Sequence, residues 1–327
     1  MKRKRRTNQL EAAAARVVKL STEACPGFEE AEKLFYAEEK SKNRLKRTIA
    51  WHRENIKAFK KALQEQNISL NLEEIDHRTI KNNFILYTIE NWNNKPQTIN
   101  MRIRSLRQFF SFLVEEGYLA QNPAVRVEKL KTEETLIVAL TGAQVKKILK
   151  AVDRNTFTGL RDYTMLLLML ETGVRLSELS HLKINNINFQ EGTVKVFGKG
   201  ARERVVPIQR RCKKQIQQYI SFRGTGLGHD HLFVTIDNEP IKNRTIQERL
   251  EILTQKAGLA GVQTSPHIWR HTFARFYILN GGDPFSLKKI LGHKSWEMVH
   301  HYVSLFGSQV VAQHQKASPV EHLDDWI

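Results

Sequence analysis

The chain has 327 residues, 41% of them hydrophobic and 26% charged, which is enough for two domains with cores of their own. Fifty-two Lys and Arg against 34 Asp and Glu leave a formal charge of +18, a field that attracts polyanions and points to nucleic acid through its phosphates. No apolar run of about eighteen residues occurs, so no helical membrane span is expected, and Cys25 and Cys212, far apart and in no motif, read as reduced thiols of a cytosolic protein.

Residues 1–22 read as a basic flexible arm, since Lys2, Arg3, Lys4, Arg5 and Arg6 are followed by no apolar core of a secretory signal. From 23 to 128 the pattern is helical. FEEAEKLFYAEEK, RLKRTIAWHRENIKAFKKALQEQ, HRTIKNNFILYTIENW and PQTINMRIRSLRQFFSFLVEEGYL carry apolar residues at intervals of three and four, which predicts a small domain of four or five helices. Gly117 closes the last of them and Asn122-Pro123 follows as a breaker. Residues 129–137 are polar and weakly periodic, as expected of a linker. A second domain, 138–306, opens on LTGAQVKKILKAV with Thr141 as cap. The apolar run Tyr163 to Leu170 predicts a helix buried nearly all round and ended by Thr172-Gly173; another helix starts at once with Arg175 and Glu178. TVKVF and ERVVPI alternate like strands about the turn GKGAR, a β-hairpin. Ser265-Pro266 opens a later helix, and residues 307–327 form a tail.

The stretch SPHIWRH puts His267, Arg270 and His271 near one helix face. Two chemistries compete for it. A metal would use His267, His271 and His293, but Ile268 stands where an HExxH glutamate belongs and Arg270 would repel the cation. A phosphate reverses that logic, because a guanidinium fork and a helix N-terminus both favour an anion. Phosphoryl chemistry needs several donors converging from different elements. Arg175 at a helix start with Glu178 to orient it, Lys199 between Gly198 and Gly200, His293 after Gly292, and Tyr302 supply the candidates. Taken singly, Arg175–Glu178 is an ordinary ion pair and GKG an ordinary turn. Tyr277 reads as packing and His271 as support for its helix through a hydrogen bond.

TGVRLSELSHLKINNI, VFGKGARERVVPI, SPHIWRHTFARFYILNGG and LGHKSWEMVHHY resemble, in this order and spacing, the tyrosine recombinase (phage integrase) family. The likeness covers the second domain and reaches the first through TINMRIRSLRQFFSFLVEEGYLAQNPA, similar to the end of that family's core-binding domain. It departs at Trp269, where leucine is expected, and at Trp296, Glu297 and Met298, where small hydroxyl residues are expected. The resemblance implies that Arg175 and Arg270 clamp the scissile phosphate and that Tyr302 attacks phosphorus to give a 3′-phosphotyrosine link. It assigns His267 to acid–base work, Lys199 to protonation of the leaving 5′ oxygen, His293 to a phosphate hydrogen bond and Glu178 to support.

The implied fold is mainly α with a small antiparallel β-sheet. It is a two-domain C-shaped DNA clamp with a helical, SAM-like core-binding domain and an α+β catalytic domain. Arg102, Arg104 and Arg107 on one helix, with Lys42, Arg44, Lys46 and Arg47, are the expected DNA contacts of the first domain. The implied partners are double-stranded recombination sites and a homotetramer on two of them, its tails exchanged between protomers, with excision or DNA-bending factors as further candidates. No cofactor, metal or ATP is expected, and the implied location is the nucleoid in the bacterial cytoplasm. The implied activity is site-specific integration or transposition of a mobile element through a Holliday junction. Xer-like dimer resolution is the runner-up, with a type IB topoisomerase, a catalytically silent DNA binder and a metal-dependent nuclease as remoter rivals.

Overall fold

The structure, a computed structural model, describes residues 24–132, 138–198, 203–226, 228–293 and 295–306. Packing divides the chain into two units, Met1–Thr135 and Leu136–Ile327. The basic arm, part of the expected linker, Lys199 and the tail lie outside the described residues.

The first unit is helical: α1 (Phe28–Ser41), α2 (Lys46–Glu65), a π-helical stretch Thr79–Leu86 that runs on into α3 (Tyr87–Glu90), and α4 (Pro96–Glu115). On α4 the residues Ile99, Ile103, Leu106, Phe109, Phe110 and Leu113 recur at helical spacing and are all buried. They meet Phe35 of α1, Ile56, Phe59 and Leu63 of α2 and Phe84 in one core. Each such side chain contributes roughly 1.5–3 kcal/mol of burial, so the helical period alone accounts for this assembly. The third helix departs from the α form expected of it. Gln66, just after α2, donates to the Asn83 backbone oxygen at 2.6 Å and accepts from the Asn83 side-chain amide at 3.2 Å. A side chain drawn into the backbone ladder widens a turn in this way. One polar link crosses the core: buried His52 lies 2.8 Å from Ser105 Oγ through Nδ1 and 4.0 Å from buried Glu39 through Nε2.

The second unit starts with α5 (Gly142–Lys150), capped by the expected Thr141, whose hydroxyl accepts from Gln144 N. Next, α6 (Phe157–Thr172) is buried on nearly every side and packs against α8 (Arg210–Arg223) and α10 (Pro266–Leu279). Gly173 ends it at φ 59°, and a Cβ there would meet Phe273 Cδ1 at 2.5 Å. Then come α7 (Leu176–Ser180) and an antiparallel sheet in the order β1 (Ile187–Asn188), β2 (Thr193–Phe197), β3 (Glu203–Pro207). The sequence predicts β2 and β3; β1 is two residues long, too short for an alternation to register. In the register of β2 with β3, Val194 opposes Val206 and Val196 opposes Arg204. The remaining helices are α9 (Asn243–Lys256), α11 (Pro284–Leu291) and α12 (Glu297–Phe306). No helix among the described residues is long and apolar enough to cross a membrane.

Candidate active site

The start signal of α10 works as its sequence reads: Pro266 takes the first helical position and Ser265 Oγ accepts from Ile268 N. His267 then stands exposed in the first turn, while Arg270, one turn on, is buried. The Arg270 guanidinium is held by main chain. Nη1 donates to Gly173 O and Nη2 to Leu291 O, both at 2.7 Å. These carbonyls belong to the C-terminal ends of α6 and α11, where helix dipoles favour a cation. Nη2 also lies 2.9 Å from His293 Nε2. Arginine can only donate, so His293 Nε2 accepts and its proton sits on Nδ1. That Nδ1 is buried and has no hydrogen-bond partner among the described residues. Burial, then the charges of Arg175 and Arg204, bring Arg270 down to about 9.

Around Glu178 the second cluster assembles. Its side chain is 0% exposed. Oε2 accepts from Arg175 N at 2.8 Å and Oε1 from Arg175 Nη1 at 2.9 Å, so one acid both caps α7 and orients the arginine beside it. Arg204 reaches the same acid from β3 with both prongs of its fork, at 2.7 and 2.8 Å, while its Nε donates to Ile290 O at 2.6 Å. The pleat explains why an arginine points inward here. Arg204 and Val206 share a face of β3, so a charged residue falls on the buried side and must find a carboxylate. Burial works against the Glu178 charge, but hydrogen bonds from Arg204 and Arg175 outweigh it and hold the carboxyl at about 2. Three guanidinium groups therefore act around one carboxylate. The surplus is positive, and Arg175 remains 37% exposed.

Tyr302 of α12 is 0% exposed, enclosed with Phe273, Ala274, Ile278, Leu287 and Leu291. Its hydroxyl lies 2.6 Å from His271 Nδ1, and its ring stacks on His293 at 6.4 Å between centroids and 13° between planes. Burial raises its pKa, against the pull of Arg270. His271 does not serve its own helix as expected: following Arg270, it turns to α12 and binds a residue 31 positions on. Burial, then the charges of His267, Arg270 and His301, bring it down to about 4; burial, Arg270, Arg175 and Arg204 do the same to His293. Tyr277 packs on Phe273, as expected.

Of the candidates read from sequence, Arg175, Glu178, Arg270, His293 and Tyr302 meet in this network, His267 stands exposed beside it, and Lys199 lies outside the described residues. Sequence reasoning missed Arg204 and the true partner of His271. A charged residue on the inward face of the alternating ERVVPI was the signal for the first; no spacing rule points to the second.

The expected DNA contacts of the first unit divide. Arg104, Lys46 and Arg47 are exposed. Lys42 pairs with Glu38 at 3.0 Å at the surface, and exposed Arg44 reaches the buried Glu39 at 3.5 Å. Arg102 is half-buried over the Trp92 ring, 5.5 Å from its centroid. Arg107 donates to Ala124 O at 3.0 Å and to Val127 O, so its guanidinium is engaged within the unit.

The profile of the Phage integrase family matches residues 139–308, and that of the Phage integrase N-terminal SAM-like domain matches 35–117. The chain is 30% identical over 276 residues to the tyrosine recombinase XerD of Staphylococcus aureus, covering 83% of this chain and 92% of that protein. It is 29% identical over 235 residues to XerC of Thermodesulfovibrio yellowstonii, covering 70% and 78%. In fold it is similar to the XerH recombinase bound to its palindromic difH substrate, with TM-score 0.70, 19% identity and coverage of 91% and 86%. It is also similar to the Tn1549 transposon integrase in complex with a circular intermediate DNA, with TM-score 0.67, 20% identity and coverage of 83% and 94%. A catalytic-domain match over more than half the chain, joined to a relative alike over most of its length, places this chain in the phage integrase family: it is a tyrosine recombinase, an enzyme that transfers DNA strands.

Proposed function

We propose that the chain cuts and rejoins double-stranded DNA at specific sites, with Arg175 and Arg270 on the nonbridging oxygens of one phosphate and Tyr302 as nucleophile. The bond from Tyr302 Oη to phosphorus forms as the bond to the 5′ oxygen breaks. The phenolic proton passes to His267 and Lys199 protonates the leaving 5′ oxygen. His293 offers its Nδ1–H to the phosphate, and Glu178, braced by Arg204, fixes Arg175. The phosphotyrosine retains the bond energy, so rejoining needs no ATP. The observation that carries this reading is the surplus of guanidinium around Glu178, one side chain away from a buried tyrosine.

The biological setting we infer is integration or excision of a mobile element, by a homotetramer on two sites, in the bacterial cytoplasm at the nucleoid. Exposed Arg104, Arg44, Lys42, Lys46 and Arg47 are the phosphate contacts assigned to the first unit; Arg107 is dropped because it is engaged internally. A second reading, Xer-like dimer resolution, draws on the likeness to XerD and XerC. The test uses a nicked duplex drawn from the DNA flanking the gene, incubated with protein in EDTA. A covalent adduct that disappears in Tyr302→Phe supports the chemistry, and an adduct that survives overturns it. Recombinant joints between two duplexes, rather than relaxation alone, separate exchange from a topoisomerase. Joints formed only between direct repeats on one circle would favour resolution.

A further inference from the structure

The tyrosine assigned as nucleophile is wholly enclosed by the protein, 0% exposed. Its ring fills a pocket walled by Phe273 and Ile278 of α10 and by Leu287 and Leu291 of α11, and its hydroxyl ends on His271 Nδ1 at 2.6 Å. The direction of that bond follows from proton affinities. A phenol ordinarily gives up its proton near 10, and burial pushes Tyr302 higher. His271 is held near 4, facing the positive or titratable groups His267, Arg270 and His301. Moving the proton from phenol to imidazole is thus strongly unfavourable. A phenol O–H is a far stronger acid than a neutral imidazole N–H, and an imidazole nitrogen is a better acceptor than a phenol oxygen, so the hydroxyl donates to Nδ1 and the bond favours the protonated, unreactive phenol. In this position His271 is no base. His293 touches both sides of the site, stacking on the Tyr302 ring and accepting from Arg270, so the stored phenol waits one imidazole away from the phosphate clamp.

We propose that His271 is a positioning residue for Tyr302: it holds the phenol in the pocket between α10, α11 and α12, and strand cleavage begins with the loss of that hydrogen bond. The proposal rests on Tyr302 being the nucleophile. It makes α12 the element that must shift to deliver the hydroxyl, and it gives the second histidine of SPHIWRH a function separate from that of the first.

Two variants of the full chain test it. His271→Phe keeps a ring and removes the acceptor; His271→Asn places a carbonyl oxygen where Nδ1 stood. Nitration of Tyr302 by tetranitromethane in the DNA-free protein, located by mass spectrometry, reads release of the phenol. Single-turnover adduct formation on the nicked duplex reads its consequence. The expected result is a three- to tenfold rise in both rates for His271→Phe, the range of one neutral hydrogen bond, with His271→Asn near the wild type. Unchanged nitration in His271→Phe overturns the proposal. So does an adduct rate that collapses in His271→Phe and returns in His271→Asn, which would make His271 an activator. If His271→Phe melts early, His271→Gln, whose carbonyl falls at the distal ring position, is read against the same two outcomes. Failure of the nucleophile assignment is separate, because it shows as an adduct in Tyr302→Phe and leaves the nitration result standing.

Discussion

Two carboxylates of the second unit each sit between arginines, and they are put to different uses. Asp162 on α6 accepts from Arg161 Nε and Nη2 at 2.9 and 2.8 Å through one oxygen, and from Arg249 Nε at 2.6 Å through the other. Arg161 gives its remaining prong to Val234 O, and the carboxylate is buried. Glu178 is also a buried acid gripped by two arginines. What differs is the remainder. Near Glu178 a third guanidinium, Arg270, takes no carboxylate and leans on backbone carbonyls; Arg175 is partly open to solvent; and histidines and a tyrosine close the circle. Buried ion pairs as such are weak evidence of either stability or function. The signal is a cation left without a carboxylate of its own, beside an arginine that is still 37% exposed.

Arg270→Ala is expected to lower adduct formation on the nicked duplex by about a thousandfold or more, the size of lost transition-state donors. Arg249→Ala at the other acid is expected to leave the rate per folded molecule unchanged, and an equal loss in both would abolish the distinction. Next in size is Asp162→Asn, which leaves two inward-facing guanidiniums short of a partner. Urea unfolding is expected to show a loss of about 3–5 kcal/mol, again with the cleavage rate per folded molecule preserved. Arg204→Lys keeps the charge but loses the fork on Glu178 and the Nε bond to Ile290 O. About a tenfold drop in cleavage at unchanged DNA affinity is expected, and the drop should shrink when Glu178 is already Gln, because both act through Arg175.

His52 in the first unit and His271 and His293 in the second are each lowered to about 4, chiefly by burial. They are neutral in the folded chain, whereas the unfolded chain takes up their protons below about 6.5. Stability therefore falls as pH drops through the window from about 6.5 to about 4, and levels off below it for these groups. Thermal melts at pH 7, 5.5 and 4 check the sign; a Tm rising towards pH 4 contradicts it. The smallest effect separates two arginines of α4. Arg104→Ala is expected to reduce the salt slope of DNA binding by about 1, whereas Arg107→Ala is expected to lower the melting point of the first unit and leave the slope alone.

Much of this was legible because local rules suffice for local features. The stripe on α4, the Thr141 and Ser265 caps, the left-handed Gly173 and the β2–β3 pair all follow from residues within a few positions of one another. So did the pairing of Arg175 with Glu178, three positions apart. What stayed hidden depends on distant elements meeting. Arg204 finds Glu178 across 26 positions and His271 finds Tyr302 across 31, and nothing in either local pattern names the partner. The same limit made Arg107 look like a DNA contact. A helix-face arginine reads alike whether it meets a phosphate or the carbonyls of a loop folded back 17 to 20 positions later. Likewise the π-helical turns at Thr79–Leu86 are met by Gln66, which lies at the end of α2, 17 positions before Asn83.

The backbone grip on Arg270 has an evolutionary consequence. Main-chain oxygens cannot be deleted by substitution, so no single exchange among neighbouring side chains, His293 included, removes the two carbonyl anchors of this arginine. The exposure to damage moves instead to the two helix-ending glycines that set where those oxygens point. At 173 a methyl group would strike Phe273 and Leu291, and at 292 it would crowd Arg204 Cδ at 3.1 Å, with φ at 59° and 66° disfavouring a side chain in any case. In a library of random variants, inactive clones should concentrate at positions 173 and 292, which bear no functional group at all.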